Sequence, residues 1–179
     1  MIRIRINKPN GAAMSDLSQL TQSELDDLFL RRSFEVARRA IGHGNHPFGS
    51  VLVDRNRNVL IEMENGYLPS RDGTAHAERL LASQACTTIS ADILRGATLY
   101  SSAEPCAMCA GAMYWAGIGR LVYGLSEHRL RGLTGNHPEN PTLDLPCREV
   151  FKSGQRVTEV VGPLLEDEAA ALHHGVWDQ

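Results

Sequence analysis

Four side chains in this sequence have the types and spacing of a hydrolytic metal centre: His76 and Glu78 in His76-Ala77-Glu78, and Cys106 and Cys109 in Pro105-Cys106-Ala107-Met108-Cys109. One imidazole and two thiolates make three ligands for a tetrahedral zinc. A structural site closes with a fourth protein ligand, whereas three ligands leave a position at which water is activated. Glu78 is then a general base and acid beside the metal, because as a fourth ligand it would close the site. Taken alone, a C-x-x-C pair also reads as half of a structural zinc site or as a redox pair, and Glu78 alone reads as a helix-surface carboxylate. A zinc ribbon needs a second pair, and the two remaining cysteines, Cys86 and Cys147, are isolated from each other. Both are expected to be buried or half-buried free thiols. A redox motif would have no histidine partner.

The elements that must position these residues are legible in outline. A helix is expected over 23–41, capped by Ser23, with Leu25, Leu28, Phe34, Val36, Ala37 and Ile41 on its apolar faces. Residues 48–54 and 59–64 read as a hairpin of two strands. A helix starting near Thr74 carries His76 and Glu78, and a strand over 97–101 follows. Pro105 opens the next helix, which puts Cys106 and Cys109 on one side of its first turn. Positive helix ends favour thiolates there. Further elements are a strand at 120–123, a long polar loop at 132–145, a short helix at 147–153, a strand at 157–161 and a final helix at 166–174 with acidic residues in its first turn. This alternation predicts an α/β fold, a three-layer αβα sandwich around a mixed five-stranded sheet.

Length and composition bound the rest. The chain has 179 residues, 42% apolar and 22% charged, which suits one globular domain. Residues 1–20 are read as a flexible leader, with a short strand-like alternation over 1–7, and residues 21–179 as the zinc-dependent domain. No apolar run reaches the length of a membrane span and no signal peptide is evident, so a cytoplasmic setting is expected. A formal charge of −3 disfavours a large nucleic-acid footprint. Arg31, Arg32, Arg38 and Arg39 read as a solvated helix face. His43, His46, His128 and His137 read as loop residues. His173, His174 and Trp177 read either as a lid or as a frayed amphipathic end.

The combination H-x-E followed by P-C-x-x-C is the signature of zinc deaminases of nucleobases. With Thr74-Ala75 before the histidine, Ser102-x-Glu104-Pro105-Cys106-x-Met108-Cys109-x-Gly111-Ala112 and Pro47-Phe48-Gly49, the chain resembles the cytidine-deaminase superfamily. The nearest branch holds bacterial guanine deaminases and tRNA adenosine deaminases, and the similarity runs from about residue 30 to residue 125. The resemblance implies one zinc per subunit, loss of ammonia from an amidine-like ring carbon, and a homodimer with sites near the subunit interface. It further implies that Asn65 hydrogen-bonds the substrate, that Phe48 packs on the base, and that Ala77, Ser102 and Glu104 line the base edge. Asn65 also reads as a turn former, Phe48 as core and Glu104 as a helix cap. Met113-Tyr114-Trp115-Ala116 resembles the guanine deaminase form of this helix, which puts Trp115 among the substrate contacts and guanine first among small aminated bases and nucleosides. Gly135-Asn136-His137-Pro138-Glu139 stands where those enzymes carry Gly-Phe-Asp-Asp, so Glu139 and Asp144 are candidate replacements. The alternatives are a tRNA adenosine deaminase and a non-catalytic zinc scaffold. The first is disfavoured by the acidic C-terminal segment, the second by an intact Glu78.

Overall fold

A computed structural model describes residues 17–135, 137–141 and 143–177. The strand-like alternation over 1–7, and the leader as far as residue 16, lie outside the described residues. Leu17 is buried against the first helix, and its carbonyl accepts from the Arg57 guanidinium.

Helix α1, Gln22–Gly42, starts at Thr21 rather than Ser23. Thr21-x-x-Glu24 is a capping box: Glu24 N–H donates to Thr21 Oγ1 and Thr21 N–H donates to Glu24 Oε2. Its buried face is built on Leu25, Phe29, Leu30, Phe34, Val36, Ala37 and Ala40, while Leu28 and Ile41, expected in that stripe, are exposed. Strands β1 (Gly49–Val53) and β2 (Val59–Glu64) form the expected antiparallel hairpin. Gly49 is required by packing, since a Cβ there would stand 2.4 Å from the Ala37 nitrogen.

Helix α2 is Ala77–Thr88 and α3 is Ala91–Gly96, a short helix not foreseen in the sequence. Strand β3, Thr98–Ala103, leads to α4, Ala107–Ala116, and then to β4, Arg120–Leu125. Helix α5, Glu127–Thr134, occupies the start of the region read as a long loop. Ser126 caps it by accepting from Arg129 N–H, a start signal overlooked among the polar residues. Helix α6 (Cys147–Lys152), strand β5 (Glu159–Val161) and helix α7 (Glu166–Ala171) complete the chain.

The sheet order is β2-β1-β3-β4-β5, with β1 antiparallel to β2 and β3, and β3, β4 and β5 parallel. Helices α1 and α7 pack on one face with Tyr100 and Val122, and α2, α3, α4 and α6 on the other with Leu52, Leu99 and Leu121. This is the expected three-layer sandwich.

Register explains where the site must form. Gly49 pairs with Glu64, Ser50 with Ser101, and Ala103 with Leu125. The start of β1 and the ends of β2, β3 and β4 therefore meet at one end of the sheet. Phe48, Asn65, Glu104 and Glu127 arrive there from four separate segments. At the opposite end a buried clamp closes the molecule. Asp26 on α1 accepts two hydrogen bonds from the Arg120 guanidinium, at 2.7 and 2.8 Å, and one from Tyr100 Oη–H at 2.9 Å.

Candidate active site

His76 is the N-cap residue of α2 and Cys106 the N-cap residue of α4; Cys109 lies in the first turn of α4. Pro105 thus precedes the cap instead of opening the helix. The Cys106 and Cys109 sulfurs are 3.6 Å apart, and His76 Nδ1 stands 3.7 and 3.6 Å from them. A tetrahedral zinc, with Zn–S near 2.3 Å and Zn–N near 2.0–2.1 Å, places its ligand atoms roughly 3.5–3.8 Å apart. The triad therefore fits zinc. It is the sole such cluster of His, Cys, Asp and Glu among the described residues. Two helix N-termini converge on it, so positive partial charge faces the sulfurs. Its hydrogen bonds with Cys109 and His76 hold the Cys106 thiol down at about 4, against its burial. Cys147 is buried and Cys86 is exposed, the latter against expectation because its face of α2 meets solvent; neither belongs to the triad.

Glu78, two residues beyond His76, is 4% exposed. Burial pushes its carboxyl above the usual range, and Ser101 Oγ–H donates to Oε1 at 2.6 Å. Ser101 projects from β3 beneath the site, so the sheet fixes the carboxylate that the helix delivers.

These residues face a cavity of about 630 Å³. Phe48 and Tyr67 form one wall, and Glu127 and Leu130 of α5 another. Pro138, Glu139, Asn140, Pro141 and Leu143 line it from the segment after α5. Glu139 ties that segment down: Oε2 lies 3.0 Å from His46 Nε2, and Tyr67 Oη–H donates to Oε1 at 3.5 Å. Asp144 instead pairs with Arg131. The C-terminal residues pack in cis. His173 and Trp177 are buried against Phe48, at ring separations of 5.3 and 6.4 Å, and Trp177 also meets His46 and His137. His46 and His137 lie in loops, as expected, and their rings join an aromatic cluster with Tyr67 and Trp177.

The other residues singled out in the sequence are placed unevenly. Asn65 is buried at the end of β2, where Oδ1 accepts from Tyr67 N–H at 3.0 Å. Ala77 is fully buried between His76 and Glu78. Ser102 lies on the sheet face opposite to Ser101, with its Oγ accepting from Gly49 N–H. Glu104 borders the cavity, but its carboxylate is committed elsewhere. Oε2 accepts from Glu127 N–H at 3.1 Å and Oε1 from Cys147 N–H at 3.0 Å, which caps α5 and α6 together. Trp115 is 78% exposed and stacks edge-on against Tyr114, away from the cavity of its own chain. Sequence reasoning missed Tyr67, Leu130 and Glu127 as cavity residues. For Glu127 and Leu130 the available signal was Ser126, whose cap starts the helix that presents both.

Residues 23–125 match the model of the cytidine and deoxycytidylate deaminase zinc-binding region. The chain belongs to this family. It is a zinc-type deaminase, and hydrolytic C–N cleavage is its class of reaction. A relative from Schizosaccharomyces pombe, described as a probable cytosine deaminase, is 41% identical over 90% of this chain and 98% of its own. A Bacillus subtilis guanine deaminase is 38% identical over 57% of this chain and 65% of its own. A Haemophilus influenzae tRNA-specific adenosine deaminase is 40% identical over 60% of this chain and 62% of its own. Among solved structures, a protein in complex with 2,6-diaminopurine superposes with a TM-score of 0.70 and 26% identity, covering 96% of this chain and 90% of that one.

Proposed function

We propose that the protein deaminates a free aminated nucleobase or a close heterocycle, with guanine first, releasing ammonia and leaving a carbonyl on the ring carbon. The observation that carries this reading is the cavity itself. It joins His76, Cys106 and Glu78 to the rings of Phe48 and Tyr67, and Pro138, Glu139, Asn140, Pro141 and Leu143 border it. Such a lining suits a flat ring held by stacking and edge hydrogen bonds. The purine held by the solved neighbour supports guanine. Cytosine is the second reading, favoured by the S. pombe relative, which matches over nearly its whole length.

A zinc held by His76, Cys106 and Cys109 would lower the pKa of a bound water towards neutrality. Glu78 takes one proton from the attacking water and delivers it to the ring nitrogen, then takes the second from the hydroxyl on the tetrahedral carbon and delivers it to the departing amine, which leaves as ammonia. The Ser101 hydroxyl keeps Oε1 in place through these transfers. Phe48 stacks on the ring, and Asn65 offers its Nδ2 amide to a ring acceptor. The residues next to Glu104 form the edge of the pocket while its carboxylate stays on the two helices. We further propose that two copies pair, as the exposed Trp115 on α4 suggests, and that the protein works in a reducing compartment such as the cytoplasm, where its free thiols persist.

A transfer RNA fits this chain less well. Pro138, Glu139, Asn140, Pro141 and Leu143 border the cavity that its anticodon loop would have to enter, and the C-terminal helix opens with Glu166, Asp167 and Glu168. Polyanion binding depends on cations and weakens steeply with salt. The test is ammonia release from guanine, cytosine, adenine, ammeline and guanosine, set against inosine formation in an arginine tRNA anticodon stem. Rapid release from a free base supports the reading. Editing of the tRNA with no free base turned over overturns it.

A further inference from the structure

Besides Glu78 and Glu139, two further carboxylates line the cavity, Glu104 and Glu127, and only one of these two has its hydrogen bonds filled. Both Glu104 oxygens accept backbone N–H groups. Glu127 is nearly as buried, at 9% exposure, and lines the same cavity, yet no protein group donates to its carboxylate among the described residues. Its own N–H is used, to Glu104. An acid in the first turn of a helix is ordinary where it meets solvent and complements the helix dipole. Burying it does not help that role and costs free energy unless a donor is present. Burial raises the Glu127 carboxyl above its usual range. Leu130, one turn further on, lines the cavity as well, so a whole face of α5 is turned to it.

We propose that Glu127 is a specificity-determining residue, whose carboxylate accepts a hydrogen bond from a second N–H donor of the substrate ring, separate from the amino group that leaves. This rests on the free-base reading above and narrows it. Substrates would need, besides the reacting amine, a ring N–H or another exocyclic amine within reach of α5. Guanine and cytosine both carry ring N–H groups. Adenosine within a nucleic acid strand has only the departing amine. A ring whose N–H is replaced by a methyl group or a sugar leaves the buried carboxylate unpaired and is rejected.

A substrate–enzyme cycle tests this. Wild type and Glu127→Gln, both loaded with zinc and checked for metal content and melting temperature, are assayed on the best base from the screen and on each of its singly N-methylated derivatives. Glu127→Asp is run in the same way, and serves if the glutamine variant does not fold. The expected result is a loss of roughly 10- to 100-fold in kcat/KM on the parent base, mainly through KM, as for a charge-assisted hydrogen bond made before and during the reaction. One N-methylated derivative, already poor with wild type, should lose little more in the variant. Equal losses on every derivative, or an unchanged kcat/KM on the parent base, overturn the assignment while leaving the free-base reading intact. Turnover of tRNA adenosine with no free base accepted overturns both.

Discussion

In the proposed reaction the chemistry turns on Glu78. Its burial, its raised carboxyl pKa and its hydrogen bond from Ser101 suit a group that takes and gives back protons. Glu78→Gln keeps the volume and one acceptor. We expect it to retain one zinc per chain and an unchanged melting temperature, and to lose ~10²–10⁴ in kcat. Turnover within a few-fold of wild type, with metal content equal, would remove Glu78 from the mechanism. The metal triad was readable from the sequence because its residue types and spacing have little other explanation, and the proposal for Glu78 rests on the same spacing. The helices that Glu104 caps, and the outward face of Trp115, were not readable. Glu104 sits in the right motif, but the demand for its oxygens comes from Glu127 N–H and Cys147 N–H, which are 23 and 43 residues away in sequence. Nothing local to Trp115 tells that its side of α4 points outward.

At the scale of elements, two devices hold the site's supports in place. Glu104 joins the starts of α5 and α6 to the end of β3. Glu104→Ala should cost about 1–3 kcal/mol for each backbone donor left unpaired. Hydrogen exchange at the Glu127 and Cys147 amides should quicken far more than at Leu99 in the sheet, and equal change everywhere would contradict a local role. The second device is the clamp of Asp26, Arg120 and Tyr100. Burial acts to raise the Asp26 pKa, but hydrogen bonds from Arg120, Gln22 and Tyr100 outweigh it and the net direction is down. A carboxylate with a lowered folded pKa adds stability above its unfolded value, and that stability is lost as pH falls through the folded value. Asp26→Asn should therefore destabilise by about 3–5 kcal/mol at pH 7, since Arg120 loses a buried partner. The gap to wild type should shrink below about pH 4, close to the ordinary aspartate value of 3.8. A gap independent of pH would show that the charge is not what matters. Nothing local announces this clamp, because its partners come from α1, β3 and β4. Helix α5 was missed for a different reason: a short helix of low apolar content has a weak period, and only its cap announces it.

At the scale of the whole molecule, the order of elements and the mixed sheet follow from hydrophobic periodicity, whereas the strand order follows from pairings that no local pattern encodes. Among the described residues no helix is long and apolar enough to cross a membrane. The exposed Trp115 gives the expected pairing a direct check. Sedimentation should give twice the chain mass of 19.7 kDa, and Trp115→Glu should shift it towards the monomer with the zinc content unchanged. A wild-type monomer at micromolar concentration would contradict it. The segment after α5 has a consequence of a different kind. Pro138, Glu139, Asn140, Pro141 and Leu143 supply no strand and none of the triad's ligands, yet all five line the cavity. Changes at these positions should alter which ring fits while leaving zinc content and melting temperature unchanged. An engineer who wants a new substrate should therefore randomise there before touching the helices that carry the triad.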